Sequence, residues 1–162
     1  MEATKSQPRC PSQWIYRGME DASDEHCTPV RFIHKPALPI MGLKVLIIDD
    51  SSLMRKMINR AIRQCAIDVA ETFEAENGQE GLQALSANSP DLILCDWNMP
   101  VMDGITFVAE ARKSTTTPII MLTTEGTDSK KAEAMAAGAS GYVTKPFTPD
   151  KLEEAIKRST AA

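Results

Sequence analysis

The chain has 162 residues, 43% of them hydrophobic, and a formal net charge of −4 with acidic and basic residues intermixed. That length supports one domain with a proper core and a small appendage. No basic stripe points to nucleic acid, no acidic tract to a solvated tail, and apolar runs of about five residues fall far short of the ~20 that cross a bilayer.

Residues 1–41 read differently from the rest. Pro8, Pro11, Pro29, Pro36 and Pro39 interrupt a stretch that sustains neither a helical nor a strand period, so a disordered extension is expected. It lacks the basic start, apolar core and small-residue cleavage site of a signal peptide. Met41-Gly42, directly before the first strand, offers a second start, which would make the leader an artefact of cloning or of gene-boundary assignment. The leader carries both histidines, His26 and His34, with Cys10 and Cys27, but not at finger-like spacing. Cys65 and Cys95 complete the cysteines. With no Cys-x-x-Cys pair among them, all four read as free thiols of a reducing cytosol, and the protein as cytoplasmic.

From Leu43 onward strands and helices alternate. Lys44 to Ile48 form a first apolar run ending in Asp49-Asp50. Ser51 or Ser52 caps a helix whose apolar positions, Leu53, Met54, Met57, Ile58, Ala61, Ile62 and Cys65, define the expected buried face. Arg55, Lys56, Asn59, Arg60 and Arg63 are placed opposite. Asp68 to Ala75 alternate as a short second strand near a sheet edge. Asn77-Gly78 turns into a helix with Leu82 and Leu85 inward, stopped by Ser89-Pro90. A buried third strand, Asp91 to Cys95, ends in Asp96.

Asp103-Gly104 opens a helix with Ile105, Phe107, Val108 and Ala111. Pro118 to Leu122 form a fourth strand ending in Thr123-Thr124. A helix over Ser129 to Ala137 ends at Gly138, a good C′ residue. Gly141 to Thr144 form a fifth strand ending in Lys145-Pro146. The last helix has Thr148 as cap and Pro149 at its first position, with Leu152, Ala155 and Ile156 inward. Glu153 with Lys157 and Glu154 with Arg158 are favourable i, i+4 pairs. Five βα units in about 120 residues predict an α/β doubly wound parallel sheet.

In a parallel sheet the ends of these strands share one edge, where open α/β folds build their sites. That edge holds Asp49, Asp50, Asp96, Thr123 and Lys145. Converging acids repel one another unless a cation sits among them, and an all-oxygen set suits Mg²⁺. No thiolate or imidazole is at hand for zinc. No histidine follows residue 34, which removes a Ser-His-Asp triad and a phosphohistidine carrier. With a metal bound, one carboxylate can attack phosphorus, and Asp96, the single acid ending the third strand, is the first choice. Lys145 and the Thr123 hydroxyl can then hold the phosphoryl oxygens.

Asp49-Asp50-Ser51, Asp96-Trp97-Asn98-Met99-Pro100 with Met102-Asp103-Gly104, Thr123-Thr124-Glu125 and Lys145-Pro146-Phe147 together resemble the motif set of receiver domains in two-component response regulators. The likeness is greatest to the single-domain chemotaxis regulators and covers about Leu43 to Ser159. It implies a flavodoxin-like fold with strand order 2-1-3-4-5 and a receiver domain over residues 42–162. It also implies that Asp96 accepts phosphoryl from a histidine kinase. Mg²⁺ would lie on Asp50, Asp96 and the backbone carbonyl of Asn98, with Asp49 supporting. Thr123 and Lys145 would contact the phosphoryl group, and the Lys145-Pro146 bond would be cis. Thr123 and Tyr142 match the family's switch pair, in which the threonine moves toward the phosphoryl group and the ring turns from exposed to buried. The implied output surface is helix 4, strand 5 and helix 5, including Lys130, Lys131, Ala134, Tyr142 and Lys151. Asn98 and Glu125 are the residue types of members with short-lived phosphorylation, so rapid autodephosphorylation is expected.

The sequence shows no DNA-binding, cyclase or hydrolase segment after the receiver motifs up to Ala162, so output through protein contact by a monomer is expected. The leading reading is a signalling switch rather than an enzyme, phosphorylated by a CheA-like histidine kinase and acting on a flagellar motor protein. The alternative is a phosphorelay intermediate or phosphate sink exchanging phosphoryl with a histidine phosphotransfer protein. A third, a Mg²⁺-dependent phosphatase of the haloacid dehalogenase type, asks for aspartates two residues apart, whereas Asp49 and Asp50 are adjacent. Ser129-Lys130-Lys131-Ala132-Glu133-Ala134 in helix 4 is more charged than expected for motor docking, which points to an adjusted partner.

Overall fold

The computed structural model describes residues 42–124 and 126–160. The expectations for the leader, for Cys10, His26, Cys27 and His34, and for Glu125 lie outside the described residues. Five strands, β1 (Leu43–Ile48), β2 (Val69–Ala75), β3 (Leu92–Asp96), β4 (Ile119–Thr123) and β5 (Gly141–Thr144), alternate with five helices. These are α1 (Ser52–Gln64), α2 (Gly78–Asn88), α3 (Gly104–Ala111), α4 (Asp128–Ala137) and α5 (Pro149–Thr160). All strand pairs are parallel, in the order β2-β1-β3-β4-β5. This is the flavodoxin-like order, with β2 at an edge as its alternating pattern predicts.

Each central strand feeds two cores because successive side chains leave opposite faces. On one face Leu46, Ile48, Ile93, Cys95, Ile119 and Met121 pack with Leu85, Phe107, Val108, Ala111 and Ala134. On the other, Val45, Ile47, Leu92, Leu94, Ile120, Leu122 and Val143 pack with Ile58, Ala61, Ile62, Leu152 and Ile156. The sheet is therefore sandwiched between α2, α3 and α4 on one side and α1 and α5 on the other. A fully buried Phe107 contributes about 1.5–3 kcal/mol of transfer free energy.

Caps set the helix starts as the sequence predicts. Ser51 Oγ accepts from Met54 N–H, Asn77 Oδ1 from Glu80 N–H and Asp103 Oδ1 from Thr106 N–H. Helix α4 starts one residue earlier than expected, with Thr127 as its cap. Gly138 ends it at φ 104, the left-handed conformation that favours glycine. The Glu153–Lys157 and Glu154–Arg158 pairs form on α5.

Helix α1 departs from the sequence reading. Its buried face is Arg55, Ile58, Ala61 and Ile62, whereas Leu53 and Met57, expected inward, are 68% and 55% exposed. Arg55, expected in water, is only 7% exposed. A buried guanidinium is tolerable only when its donors are used. Here Nε donates to Glu74, Nη2 to Glu76 and Nη1 to the Asp49 carbonyl. Arg55 thus occupies the slot three residues before Ile58 that a purely apolar pattern leaves out. Ala134, expected on an output surface, is 1% exposed and belongs to the core.

Candidate functional site

Strand register brings the predicted residues to one edge. Ile48 pairs with Cys95, so Asp49 and Asp96, the next residue on each strand, leave neighbouring strands at the same level. The chain order reverses between these strands, the position where open α/β sheets form a crevice. Asp96 pairs with Leu122 and Thr123 with Thr144, which carries the row across β4 to Lys145.

Side chains then converge. Asp49 and Asp96 are 1% and 8% exposed, whereas Asp50 is exposed. Carboxylate oxygens of Asp49, Asp50 and Asp96 all lie within 4.8 Å of one another. Lys145 Nζ bridges two of them, 2.8 Å from Asp49 Oδ2 and 2.6 Å from Asp96 Oδ1. The other Asp49 oxygen accepts from Ser51 N–H at 2.9 Å. The three carboxylates thus stand close enough together to be drawn onto one ion, and their all-oxygen chemistry suits a hard cation such as Mg²⁺.

The electrostatics follow from this packing. Burial pushes the Asp96 carboxyl above the usual range; the Lys145 hydrogen bond and charge pull it back, and the nearby Asp49 charge adds to the rise. Burial also works against the Lys145 ammonium, but its hydrogen bonds to Asp49 and Asp96 outweigh that and raise its pKa. The Cys95 thiol beside them is pushed well up, first by complete burial and then by the Asp96 charge. It remains a neutral core group, as its place in an apolar run suggests. Asp103 is committed to capping α3, and its hydrogen bonds to Thr106 lower its pKa.

Thr123 ends β4 almost completely buried, and its carbonyl accepts the Lys145 N–H at 2.6 Å. The Lys145-Pro146 bond is cis, as the resemblance implies. Asn98 is exposed in the loop after β3. Tyr142 on β5 is 37% exposed. Two adjacent lysines of α4 each cover an aromatic ring: Lys130 Nζ lies 4.4 Å from the centroid of Trp97 and Lys131 Nζ 5.0 Å from that of Tyr142. Arg55 is the participant that sequence reading missed. Its signal was an arginine in phase with Ile58, Ala61 and Ile62, and two glutamates, Glu74 and Glu76, around the end of β2.

The response regulator receiver domain profile matches residues 45–157. The chain belongs to this family. It is 39% identical over 119 residues to the chemotaxis protein CheY1 of Helicobacter pylori, covering 71% of this chain and 94% of that protein. A chemotaxis protein CheY homologue of Campylobacter jejuni is also 39% identical over 119 residues, covering 71% of this chain and 90% of that one. Among solved structures, the chemotaxis protein CheY4 of Vibrio cholerae is similar with a TM-score of 0.66 and 38% identity, covering 73% of this chain and 98% of that one. A Francisella response regulator receiver domain is similar with a TM-score of 0.66 and 32% identity, over 74% of this chain and 97% of that one. The receiver domain here is thus CheY-like. Among its described residues no helix is long and apolar enough to cross a membrane.

Proposed function

We propose that residues 42–162 form a phosphoryl-accepting switch in which Asp96 is the acceptor, working in chemotaxis as the names of its relatives suggest. The observation that carries this reading is the Lys145 ammonium shared between Asp49 and Asp96, with Asp50 at the same mouth. Asp50, Asp96 and the Asn98 backbone carbonyl would hold Mg²⁺, with Asp49 supporting. The ion would supply positive charge to the phosphoryl oxygens.

An Asp96 oxygen attacks the phosphorus of a phosphohistidine on the donor kinase. The new P–O bond makes an acyl phosphate, the P–N bond breaks, and its electron pair returns to the donor imidazole, which takes up a proton. Lys145 already reaches Asp96 and can follow its charge onto a phosphoryl oxygen. Thr123 supplies a hydroxyl from the end of β4. Added charge of about −1.5 to −2 draws such a hydroxyl and reorganises the neighbouring loop. Tyr142 then turns inward, and the surface of α4, β5 and α5 changes for its reader, a flagellar motor component. Asn98 and Glu125 would flank an attacking water and set a short phosphorylated lifetime. The domain acts in the cytoplasm as a monomer, and its only chemistry is on its own acceptor.

Phosphoryl incorporation from acetyl phosphate or a chemotaxis kinase tests the assignment. Asp96→Asn should abolish labelling while circular dichroism stays unchanged. Undiminished labelling of that variant would refute Asp96 as acceptor.

A further inference from the structure

Every polar handle of Asp49 is engaged. Its N–H donates to Ala75 O at 3.1 Å, and its carboxylate oxygens accept from Ser51 N–H and Lys145 Nζ. Its carbonyl accepts from Arg55 Nη1 at 2.8 Å. Asp50, by contrast, is exposed and forms no hydrogen bond or ion pair with a described residue. The direction in which its carboxylate leaves the chain is set by the peptide that joins it to Asp49. Arg55 holds the oxygen of that peptide.

The guanidinium is itself fixed on three sides. Nε lies 2.9 Å from Glu74 Oε2 and Nη2 2.9 Å from Glu76 Oε1. Glu74 also accepts from Asn59 Nδ2, and Glu76 N–H donates to Glu80 Oε2. The planar fork therefore ties α1, the end of β2 and the start of α2 to one carbonyl of the acidic loop. The two glutamates offset its positive charge, so the fork can steer the loop without opposing a cation in the acid cluster.

We propose that Arg55 is a positioning residue for the metal site: by clamping the Asp49 carbonyl against Glu74 and Glu76 it sets the Asp50 carboxylate at the spacing a small octahedral cation requires. This rests on the reading of Asp49, Asp50 and Asp96 as a Mg²⁺ site, and the two can be tested apart. Mg²⁺ demands near-ideal octahedral geometry at about 2.0–2.1 Å, whereas Ca²⁺ accepts flexible coordination at 2.3–2.6 Å. Loosening the loop should therefore penalise Mg²⁺ more than Ca²⁺. A change in charge alone moves both ions together, and a purely structural clamp changes melting temperature without changing the ratio.

The experiment is calorimetric titration of the full chain with Mg²⁺ and, separately, Ca²⁺. Arg55→Lys keeps the charge and loses the three-way fork. It should weaken Mg²⁺ binding about tenfold, as loss of a group that orients a metal ligand typically does, and Ca²⁺ binding about twofold. A Mg²⁺ to Ca²⁺ affinity ratio equal to that of the unaltered protein would overturn the positioning role. Where Arg55→Lys does not fold, Glu74→Ala with Glu76→Ala removes the acceptors of the other two arms of the fork from the surface and should lower the same ratio in the same direction. An unchanged ratio there overturns the proposal equally. Asp50→Ala tests the underlying site. Full Mg²⁺ binding by that variant removes the site reading and this proposal with it, whereas loss of binding there with a wild-type ratio for the Arg55 variant removes the proposal alone.

Discussion

Asp96 illustrates how a single residue can be costly to the fold and useful to the chemistry. A carboxyl whose folded-state pKa is raised binds its proton more tightly in the folded protein than in the unfolded chain. Stability therefore falls as pH climbs from the ordinary carboxylate value through the raised one. Asp96→Asn removes that penalty and keeps an acceptor for Lys145. It should raise stability in metal-free buffer at pH 7, seen as a higher Tm. The gain should fade as pH drops below the ordinary carboxylate value, where the wild-type group is neutral as well. An equal gain at pH 7 and in acid would mean that ionisation is not its source. Val101 is a second costly residue. It is β-branched, 83% exposed and held at φ 68, a conformation that costs an L-residue about 1–2 kcal/mol. Asparagine tolerates this region, so Val101→Asn should stabilise by about 1 kcal/mol, seen as a higher urea midpoint at constant m.

At the scale of elements, the site depends on how closely α3 approaches the end of β3. Gly104 N–H donates to Trp97 O at 3.0 Å, and a Cβ at Gly104 would stand 2.1 Å from the Asp96 carbonyl oxygen and 2.7 Å from Met121 Cε. Backbone cannot yield as a flexible side chain does. Gly104→Ala should therefore cost about 2–3 kcal/mol and push Asp96 out of register with Lys145. Thermal unfolding and acetyl-phosphate labelling would fall together, and wild-type values for both would show that α3 adjusts freely. Helix α1 carries the other lesson at this scale. Its apolar residues fit more than one i, i+3, i+4 stripe, and the phase is chosen by Arg55, whose partners lie 19 and 21 residues away. Nothing local to α1 announces those partners. Helix α4 is similar, because its lysines read as solvated charges until Trp97 and Tyr142 are placed beneath them.

The whole molecule stores like charge at one sheet edge, and a ligand that neutralises it should be felt throughout the fold. With the proposed Mg²⁺ site, mass action adds about 1.4 kcal/mol at a metal concentration ten times Kd. Addition of Mg²⁺ should raise the Tm of the wild-type chain, and Asp50→Ala should abolish the rise. A Tm indifferent to Mg²⁺ in the wild type would count against the site. Much of this architecture was legible in advance. Short apolar runs ending in Asp49, Asp96, Thr123 and Lys145 are local patterns, and strands alternating with helices predict a parallel sheet, so the sheet, its ends and the convergence of those residues follow from sequence alone. What tertiary structure decided was the phase of α1, the burial of Arg55 and Ala134, and the sharing of one ammonium between two acids. Those outcomes depend on which distant groups satisfy a buried charge or fill a core position, and the energy of such pairings is not encoded in the spacing of residues along one segment.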